Sequence, residues 1–315
     1  MNLKSTPKTY GKNYRFVIAI ALCLVAFIAV FFQFQLQPVS NEIKDALGGL
    51  SDSSFSAMFT APMYPAIFMS IISGLIVDRV GGRWPMFVCL ALGTIGLWGR
   101  VFAQRSYAGM FLGMFVVGFA ATLGNSTNGK MFGGWFSPEK CSVCIGLYMA
   151  CSSLGSTIAN LSTPHLTRTA ADGKIDMTVP FIIAAVAVTV ALIFWFLFYR
   201  DGKGVAVSRD SSEQKESILT TIKVIFKQKD MVLGCLADMC CYGALQSMAT
   251  FMGIIMADKG AQPTQIGAIG AMVTVGMFIG NFFVPQLVNR SGKLRLSLIS
   301  MGAVGTVMLI LISAM

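Results

Sequence analysis

The chain contains nine long apolar runs, and this feature constrains its fold more than any other. A hydrocarbon core about 30 Å thick is crossed by a helix of about 20 apolar residues. A membrane strand needs only about 10 residues with strict alternation, so the length of these runs predicts helices. The predicted transmembrane helices lie at 16–36, 55–77, 85–104, 107–129, 141–163, 179–199, 231–256, 265–288 and 296–315. We therefore predict an all-α polytopic membrane protein.

The balance of residue types also favours a lipid environment. Hydrophobic residues make up 55% of the chain and charged residues 12%, whereas a soluble domain carries about 25% charged residues. Small residues let transmembrane helices approach closely, so glycines at helical spacing predict a packed bundle. These glycines are Gly93, Gly96, Gly99, Gly109, Gly113, Gly276 and Gly280.

Patterns typical of catalysis, metal binding and bound cofactors are missing from the sequence. It has no HExxH motif and no phosphate-binding GxxxxGK[ST] motif. The eight cysteines lie in or beside apolar runs, Cys141 and Cys144 form a lone CxxC pair, and His165 is the only histidine. A structural metal site needs about four such ligands, so we predict free thiols, no metal, no cofactor and no enzyme activity. The sequence therefore offers no motif for a nucleotide energy source.

Lysine and arginine residues are distributed unevenly between the two sides of the predicted helices. With the N-terminus inside, the inner segments carry 18 of them and the outer segments carry six. Cytoplasmic loops are enriched in these residues, so we predict a cytoplasmic N-terminus in the plasma membrane, or the inner membrane of a bacterium. The net charge of +10 then faces anionic lipid, and no nucleic-acid partner is needed to explain it.

One polar segment divides the predicted helices into two groups. Residues 200–230 are rich in charge, with six predicted helices before them and three after. We predict an N-terminal six-helix bundle over 1–199, a cytoplasmic linker over 200–230 and a partial C-terminal bundle over 231–315.

The turn between the second and third predicted helices reads SGLIVDRVGGRW and has an unusual composition. Gly81 permits a tight reversal, while Arg79 and Arg83 at headgroup level hold the loop on the inner side. Gly74 would let a neighbouring helix approach closely, and Asp78 would end the helix at the membrane surface. A well-formed inner turn explains these residues but not their spacing.

This spacing, G-x-x-x-D-R-x-G-x-R, resembles the signature loop of the major facilitator superfamily. The sequence VNRSGKLR after the eighth predicted helix places Arg290 and Gly292 at a constant offset of 211 residues from Arg79 and Gly81. The sequence GGWFSPEK, between the fourth and fifth predicted helices, resembles another turn of the family. The resemblance implies two parallel-repeat helix bundles, a gating role for the signature residues and transport by alternating access.

The family resemblance also implies a length and a class of solute. Members of the family have twelve helices and this chain ends in its ninth, so we expect a fragment whose second bundle is incomplete. The chain is loosely similar to the nitrate/nitrite porter and oxalate/formate exchanger branches. This similarity implies a small anion or organic acid as the transported solute.

Polar side chains inside membrane helices are costly, so they mark candidate solute and ion sites. In the seventh predicted helix, Asp238, Tyr242 and Gln246 are spaced four residues apart and share one face. A buried carboxylate can take up a proton near neutral pH, so we hypothesise that Asp238 couples transport to a proton or cation. The alternative is an acid near the helix end that is paired or reaches the surface.

Other predicted helices contribute further candidates for the solute path. Tyr148 and Ser152 share a face of the fifth helix, where packing between helices is the alternative explanation. Asn125 and Asn128 lie near the inner third of the fourth helix, where a polar helix end would explain them equally well. Thr274 lies near the middle of the eighth helix.

Arg100 lies about one turn from the outer end of the third predicted helix. Its side chain could bind an anion, or it could reach the surface by running along apolar neighbours with its charged head in water. We favour the second interpretation, because the third helix is usually a supporting helix in this family.

Together these patterns favour a secondary active transporter, such as a symporter, for a small polar solute. The expected partners are the solute, membrane lipid and a coupling proton or cation. The alternative is a truncated or non-transporting membrane protein that acts as a partner subunit or remains as a remnant.

Overall fold

The computed structural model describes residues 14–171, 173–198, 227–291, 299–300 and 302–307. Within these ranges, eight segments are helical, long and apolar enough to cross a membrane. They correspond to the first eight predicted helices and confirm the all-α polytopic class, while the ninth, at 296–315, lies largely outside the described residues. The helices are α1 (Tyr14–Phe34), α2 (Ser40–Ala46), α3 (Asp52–Thr60), α4 (Met63–Val80), α5 (Arg83–Phe102), α6 (Tyr107–Trp135), α7 (Pro138–Leu166), α8 (Thr178–Phe198), α9 (Lys229–Asp258) and α10 (Pro263–Ser291).

The second predicted helix is interrupted, because the chain turns at Ala61 and Pro62 between α3 and α4. Proline has no backbone N–H and cannot continue the hydrogen-bond ladder of a helix. Gly118 of α6 packs against this turn so closely that an added Cβ would overlap the Pro62 carbonyl group. The prediction of one unbroken helix over 55–77 is therefore wrong in its first turns.

Glycines bring α5 and α6 into close contact, as their spacing predicts. A Cβ added to Gly96 would lie 2.8 Å from the Gly113 carbonyl oxygen, and one added to Gly113 would lie 2.9 Å from the Gly96 carbonyl oxygen. Gly99, Gly276 and Gly280 behave differently, since they have no neighbour within 4 Å among the described residues. The predicted close packing is therefore confirmed for Gly96 and Gly113. Gly99, Gly276 and Gly280 have no described packing partner.

Two short elements lie outside the predicted helices, namely α2 and a β-hairpin. β1 (Arg168–Thr169) pairs antiparallel with β2 (Ile175–Asp176). Gly173 lies between them with φ +75°, a left-handed value that favours glycine. This glycine is the sequence signal for the turn.

α10 packs chiefly on α7, and α9 contacts α10, α2 and α3. For description we call α1 to α8 the first group of helices and α9 with α10 the second group; the division into two bundles stays a prediction. Most of the predicted linker, at 199–226, lies outside the described residues. We call the end of the bundle where α4 meets α5 the Lys/Arg-rich end, and the opposite end, which carries α2 and the β-hairpin, the hairpin end.

The Asp176 carboxylate fixes the start of α8 at the hairpin end. It accepts hydrogen bonds from the Thr178 hydroxyl at 2.5 Å and from the Thr178 backbone N–H at 2.9 Å, and these bonds lower the pKa of Asp176. A carboxylate with a lowered pKa stabilises the fold above its unfolded pKa, and this contribution disappears as the pH falls through the folded value.

We expect Asp176→Ala to lower the free energy of unfolding by about 0.5–1 kcal/mol at neutral pH, because the first turn of α8 loses its capping acceptor. Thermal unfolding in detergent would measure the difference between the two proteins. The difference should begin to shrink below about pH 4, where the unfolded chain takes up a proton, and should be lost as the pH falls through the lower pKa of the folded protein. A difference of the same size at about pH 3 would contradict the capping role.

Candidate transport site

The predicted signature loop forms the turn between α4 and α5 at the Lys/Arg-rich end. α4 ends at Val80, and Gly81 follows with φ +87°, which favours glycine. Asp78 and Arg79 are exposed, whereas Arg83 is partly buried and begins α5. The position of the glycine in the motif is therefore explained by the backbone of the turn.

Lys130 of α6 ties this loop to the rest of the first group. Its ammonium donates a hydrogen bond to the Val77 carbonyl oxygen at 2.6 Å and lies 3.4 Å from the Asp78 carboxylate. A cation beside the last carbonyl groups of a helix is favourable. Asp78 thus has a partner on α6, which sequence reasoning did not identify.

Other parts of the motif have no described contact. Gly74 has no neighbour within 4 Å in the part of the chain that the structure describes, so its predicted packing role finds no partner there. The side chain of Arg290 and all of Gly292 lie outside the described residues. The gating role of the second-half repeat stays a prediction.

Three of the predicted path residues come together between α6 and α7. The buried Tyr148 hydroxyl donates to Asn125 Oδ1 at 3.3 Å, and the Asn128 side chain also contacts this hydroxyl. Asn128 Oδ1 is buried and has no hydrogen-bond partner among the described residues. A buried acceptor left unpaired is costly, so this oxygen is available to a donor on a bound molecule.

Asp238, Tyr242 and Gln246 lie in α9, as predicted, but they differ in exposure. Asp238 and Tyr242 are exposed within the described structure. No described helix covers this part of α9, so the expectation of a buried carboxylate at Asp238 stays a prediction. Gln246 Nε2 is buried without a described hydrogen-bond partner. α9 thus offers one buried amide donor and one accessible acid.

Ser152 and Thr274 take part in helix contacts rather than in the Tyr148 cluster. The Ser152 hydroxyl donates to the Met149 carbonyl oxygen of its own helix at 2.7 Å. The Thr274 hydroxyl pairs with the Thr157 hydroxyl at 2.7 Å, between α10 and α7. Helix packing accounts for both hydroxyl groups.

The two groups of helices meet at the hairpin end at a backbone carbonyl that a proline leaves without its usual helical hydrogen bond. Pro164 lies inside α7 and has no N–H, so the Asn160 carbonyl lacks its usual helical partner. Gly267 of α10 packs on this carbonyl, and an added Cβ there would overlap its oxygen. We call these three residues the hairpin-end contact.

The same arrangement recurs at the other end of the interface. Pro285 inside α10 frees the Asn281 carbonyl, and a Cβ added to Gly146 of α7 would lie 3.1 Å from its oxygen. We call these residues the Lys/Arg-end contact. A constant offset of 121 residues separates Gly146, Asn160 and Pro164 of α7 from Gly267, Asn281 and Pro285 of α10. Sequence reasoning missed this repeat, although its spacing is visible in the sequence.

Arg100 is fully buried at 0% exposure, so the prediction that its head reaches the surface is wrong. Its Nη1 donates to the Phe32 carbonyl oxygen at 2.9 Å, and its Nη2 donates to Gln35 Oε1 at 3.2 Å. The guanidinium carbon lies 4.0 Å from the centroid of the Phe181 ring, a favourable cation–π arrangement. Among the described residues, no carboxylate pairs with Arg100, which lies inside the first group of helices.

α9 touches the first group of helices at the hairpin end. Gly253 packs on the chain between α1 and α2, where an added Cβ would overlap the Gln37 carbonyl oxygen and lie 2.9 Å from the Ser40 hydroxyl. Thr250 and Ile254, on neighbouring turns of α9, are buried. The glycine therefore permits a contact between main chains that a side chain would prevent.

A cavity of about 510 Å³ opens at the hairpin end, between α2, the β-hairpin and the start of α10. Glu42 lines it, and burial raises the pKa of this carboxyl group. Arg168 and Lys174 line it as well. Because both signs of charge are present, the cavity does not favour anions over cations.

A family model described as Major Facilitator Superfamily matches residues 16–315. The chain is 24% identical over 322 aligned positions to the probable sulfoacetate transporter SauU of Cupriavidus necator. That alignment covers 94% of this chain and 71% of the relative.

Solved transporter structures share the fold. A bacterial homologue of the human lysosomal transporter Spinster, inward-facing and unoccupied, matches with a TM-score of 0.70 at 17% identity, over 89% of this chain and 64% of that chain. The nucleoside transporter NupG matches with a TM-score of 0.59 at 14% identity, over 87% of this chain and 68% of that chain. The chain therefore spans less than two thirds of the Spinster homologue.

The family and the relatives named here are transporters, which confirms the prediction that the chain is not an enzyme. The matched residues run from the first transmembrane helix to the end of the chain. Together with the all-α polytopic fold, this match shows that the chain belongs to the Major Facilitator Superfamily.

Proposed function

We propose that the protein is a gradient-driven secondary transporter that carries a small organic anion across the membrane by alternating access. The observation that carries the proposal is the buried amide donor Gln246 Nε2 on α9, which has no described hydrogen-bond partner. It can donate to an oxygen of an anion bound between the two groups of helices, where solutes bind in this fold. Asn128 Oδ1 on α6 is an acceptor, so it would take part only if the solute also carries a donor group.

The burial of α9 at the hairpin end supports a state that is closed at that end. Thr250 and Ile254 are buried where α9 approaches α2 and α3, whereas no described helix covers residues 233–243. Alternating access requires a site closed at one end and open at the other. The similarity to an inward-facing Spinster homologue agrees with an opening at the Lys/Arg-rich end.

The choice of an anion rests on the similarity to a probable sulfoacetate transporter and on a neutral donor group. Gln246 offers an amide, which binds an oxyanion without a fixed positive charge, whereas the Tyr148 hydroxyl already donates to Asn125 Oδ1. Asp238 would repel an anion while it is ionised. We therefore propose that Asp238 takes up the coupling proton or cation and that the anion binds when this charge is neutralised.

The orientation follows from the distribution of basic residues. We propose that the Lys/Arg-rich end and the N-terminus face the cytoplasm in the plasma membrane, or in the inner membrane of a bacterium. The signature loop then gates the cytoplasmic end, and residues 200–230 form a cytoplasmic linker between the bundles of 1–199 and 231–315.

Uptake by reconstituted vesicles tests the function directly. We expect saturable uptake of radiolabelled sulfoacetate or another small organic anion, and no uptake of an uncharged nucleoside. Gln246→Leu should lower kcat/KM for uptake at least about tenfold, because the buried donor to the solute is lost.

Gln286→Leu is the matched control, because the Gln286 amide donates to the Phe282 carbonyl of its own helix at 3.1 Å. It should change uptake by less than about twofold. Saturable nucleoside uptake would overturn the choice of an anion and show that the solute is uncharged. No saturable uptake of either class would overturn the transport function and favour a non-transporting membrane partner.

A further inference from the structure

A buried arginine without a carboxylate partner needs an explanation, because burying an unpaired charge is costly. Arg100 contacts Met114 of α6 and the Phe181 ring of α8, but its shortest hydrogen bond is to the end of α1. The Phe32 carbonyl there is one of the last four of α1 and has no N–H partner within its helix. A cation at the C-terminal end of a helix is favourable. Arg100 therefore acts as the cap of α1, supplied by α5.

The cap extends into the next segment of chain. We call residues 35–39, between α1 and α2, the α1–α2 corner, and all five are buried. Gln35 accepts from Arg100 through Oε1 and donates through Nε2 to the Pro180 carbonyl oxygen of α8 at 2.8 Å. Arg100 and Gln35 thus link α5, α8 and the start of the corner.

The far side of this corner is the surface on which α9 docks. The Gln37 carbonyl oxygen lies against Gly253, two residues after Gln35 in the chain. Gly253 has no side chain that could move to accommodate a shift of the Gln37 carbonyl. Closure at the hairpin end therefore depends on where the corner backbone is held.

We propose that Arg100 is a positioning residue for closure of the hairpin end: it holds the α1–α2 corner in the form that docks on Gly253. This inference rests on the proposed alternating-access function. Arg100 stays inside the first group and touches no solute in this role. Its effect passes through Gln35 and the corner to α9.

Labelling of a cysteine at position 250 tests the proposal. Thr250 is 4% exposed, and its hydroxyl bonds only within its own helix, so Thr250→Cys is a mild change at the docked surface. In nanodiscs, a water-soluble maleimide would label this cysteine slowly when the hairpin end is closed. Peptide-resolved mass spectrometry separates it from the native cysteines.

We expect Arg100→Met to speed this labelling about tenfold, since loss of the cap corresponds to about 1.4 kcal/mol of docking free energy. Arg100→Lys should restore part of the protection, because an ammonium can reach one of the two acceptors but lacks the planar fork for both. Unchanged labelling in a folded Arg100→Met protein would overturn the proposal.

Gln104→Leu is the matched control. Gln104 donates to the Thr178 hydroxyl at 2.6 Å and accepts from the Met177 N–H at 3.2 Å, so it joins the turn after α5 to the start of α8 and has no such bond to the corner. It should lower the melting temperature but leave the labelling rate unchanged. An equal rise in labelling would show general loosening and overturn the positioning role. The labelling experiment does not depend on uptake. A failure of the Arg100 proposal can therefore be told apart from a failure of the proposed transport function.

Discussion

Gly118→Ala is expected to lower the free energy of unfolding by about 2–3 kcal/mol, although it adds a single methyl group. The methyl would overlap the Pro62 carbonyl group, and the nearest atoms are backbone atoms that cannot rotate away. α6 would have to move from the turn between α3 and α4. Thermal unfolding in detergent, together with the yield of monodisperse protein, would measure the loss.

The control for this substitution lies on the same helix. Gly129 has no neighbour within 4 Å among the described residues, so Gly129→Ala adds its methyl to open space. Alanine is a better helix former than glycine, and we expect a gain of about 0.5–1 kcal/mol. Equal effects of the two substitutions would contradict the close approach of α6 to Pro62.

Gly267→Leu and Gly146→Leu are expected to shift the transporter in opposite directions. Leucine at position 267 cannot fit against the Asn160 carbonyl, so the hairpin end should open. Leucine at position 146 meets the Asn281 carbonyl instead, so it should hold the Lys/Arg-rich end open and keep the hairpin end closed. Both substitutions should reduce uptake at least about tenfold, because each traps one of the two states.

Maleimide labelling of Thr250→Cys and of the native Cys235 separates the two effects. Gly267→Leu should raise labelling at position 250 and lower it at Cys235, which is exposed on α9 in the present state. Gly146→Leu should neither raise labelling at position 250 nor lower it at Cys235. Gly276→Leu is the control on α10, because Gly276 has no described neighbour within 4 Å. Labelling changes of the same sign for both substitutions would argue against a gate at each end.

The sequence predicts the helices well because a membrane of fixed thickness selects apolar runs of one length. It also predicts the turn between α4 and α5, because the backbone there needs a glycine at Gly81. The break at Pro62 escapes this reasoning, since proline is tolerated in a transmembrane helix when neighbouring groups accommodate the interruption.

The site is less predictable, because its properties depend on residues distant in sequence. Arg100 donates a hydrogen bond to the Phe32 carbonyl, 68 residues away, and a carbonyl carries no sequence signature. The exposure of Asp238 depends on which helices cover α9, and spacing within one helix does not contain that information. Tyr148 and Asn125 meet because α6 and α7 pack together, and the sequence shows only that both are polar residues in apolar runs.

The duplication of the hairpin-end and Lys/Arg-end contacts has an energetic consequence. Each contact pairs a glycine with an asparagine carbonyl freed by a proline, but the two are not equally close. A Cβ added to Gly267 would overlap the Asn160 oxygen, whereas one added to Gly146 would lie 3.1 Å from the Asn281 oxygen. The described state is therefore biased toward closure of the hairpin end, and a solute or coupling ion would have to bind the opposite state more tightly to reverse that bias.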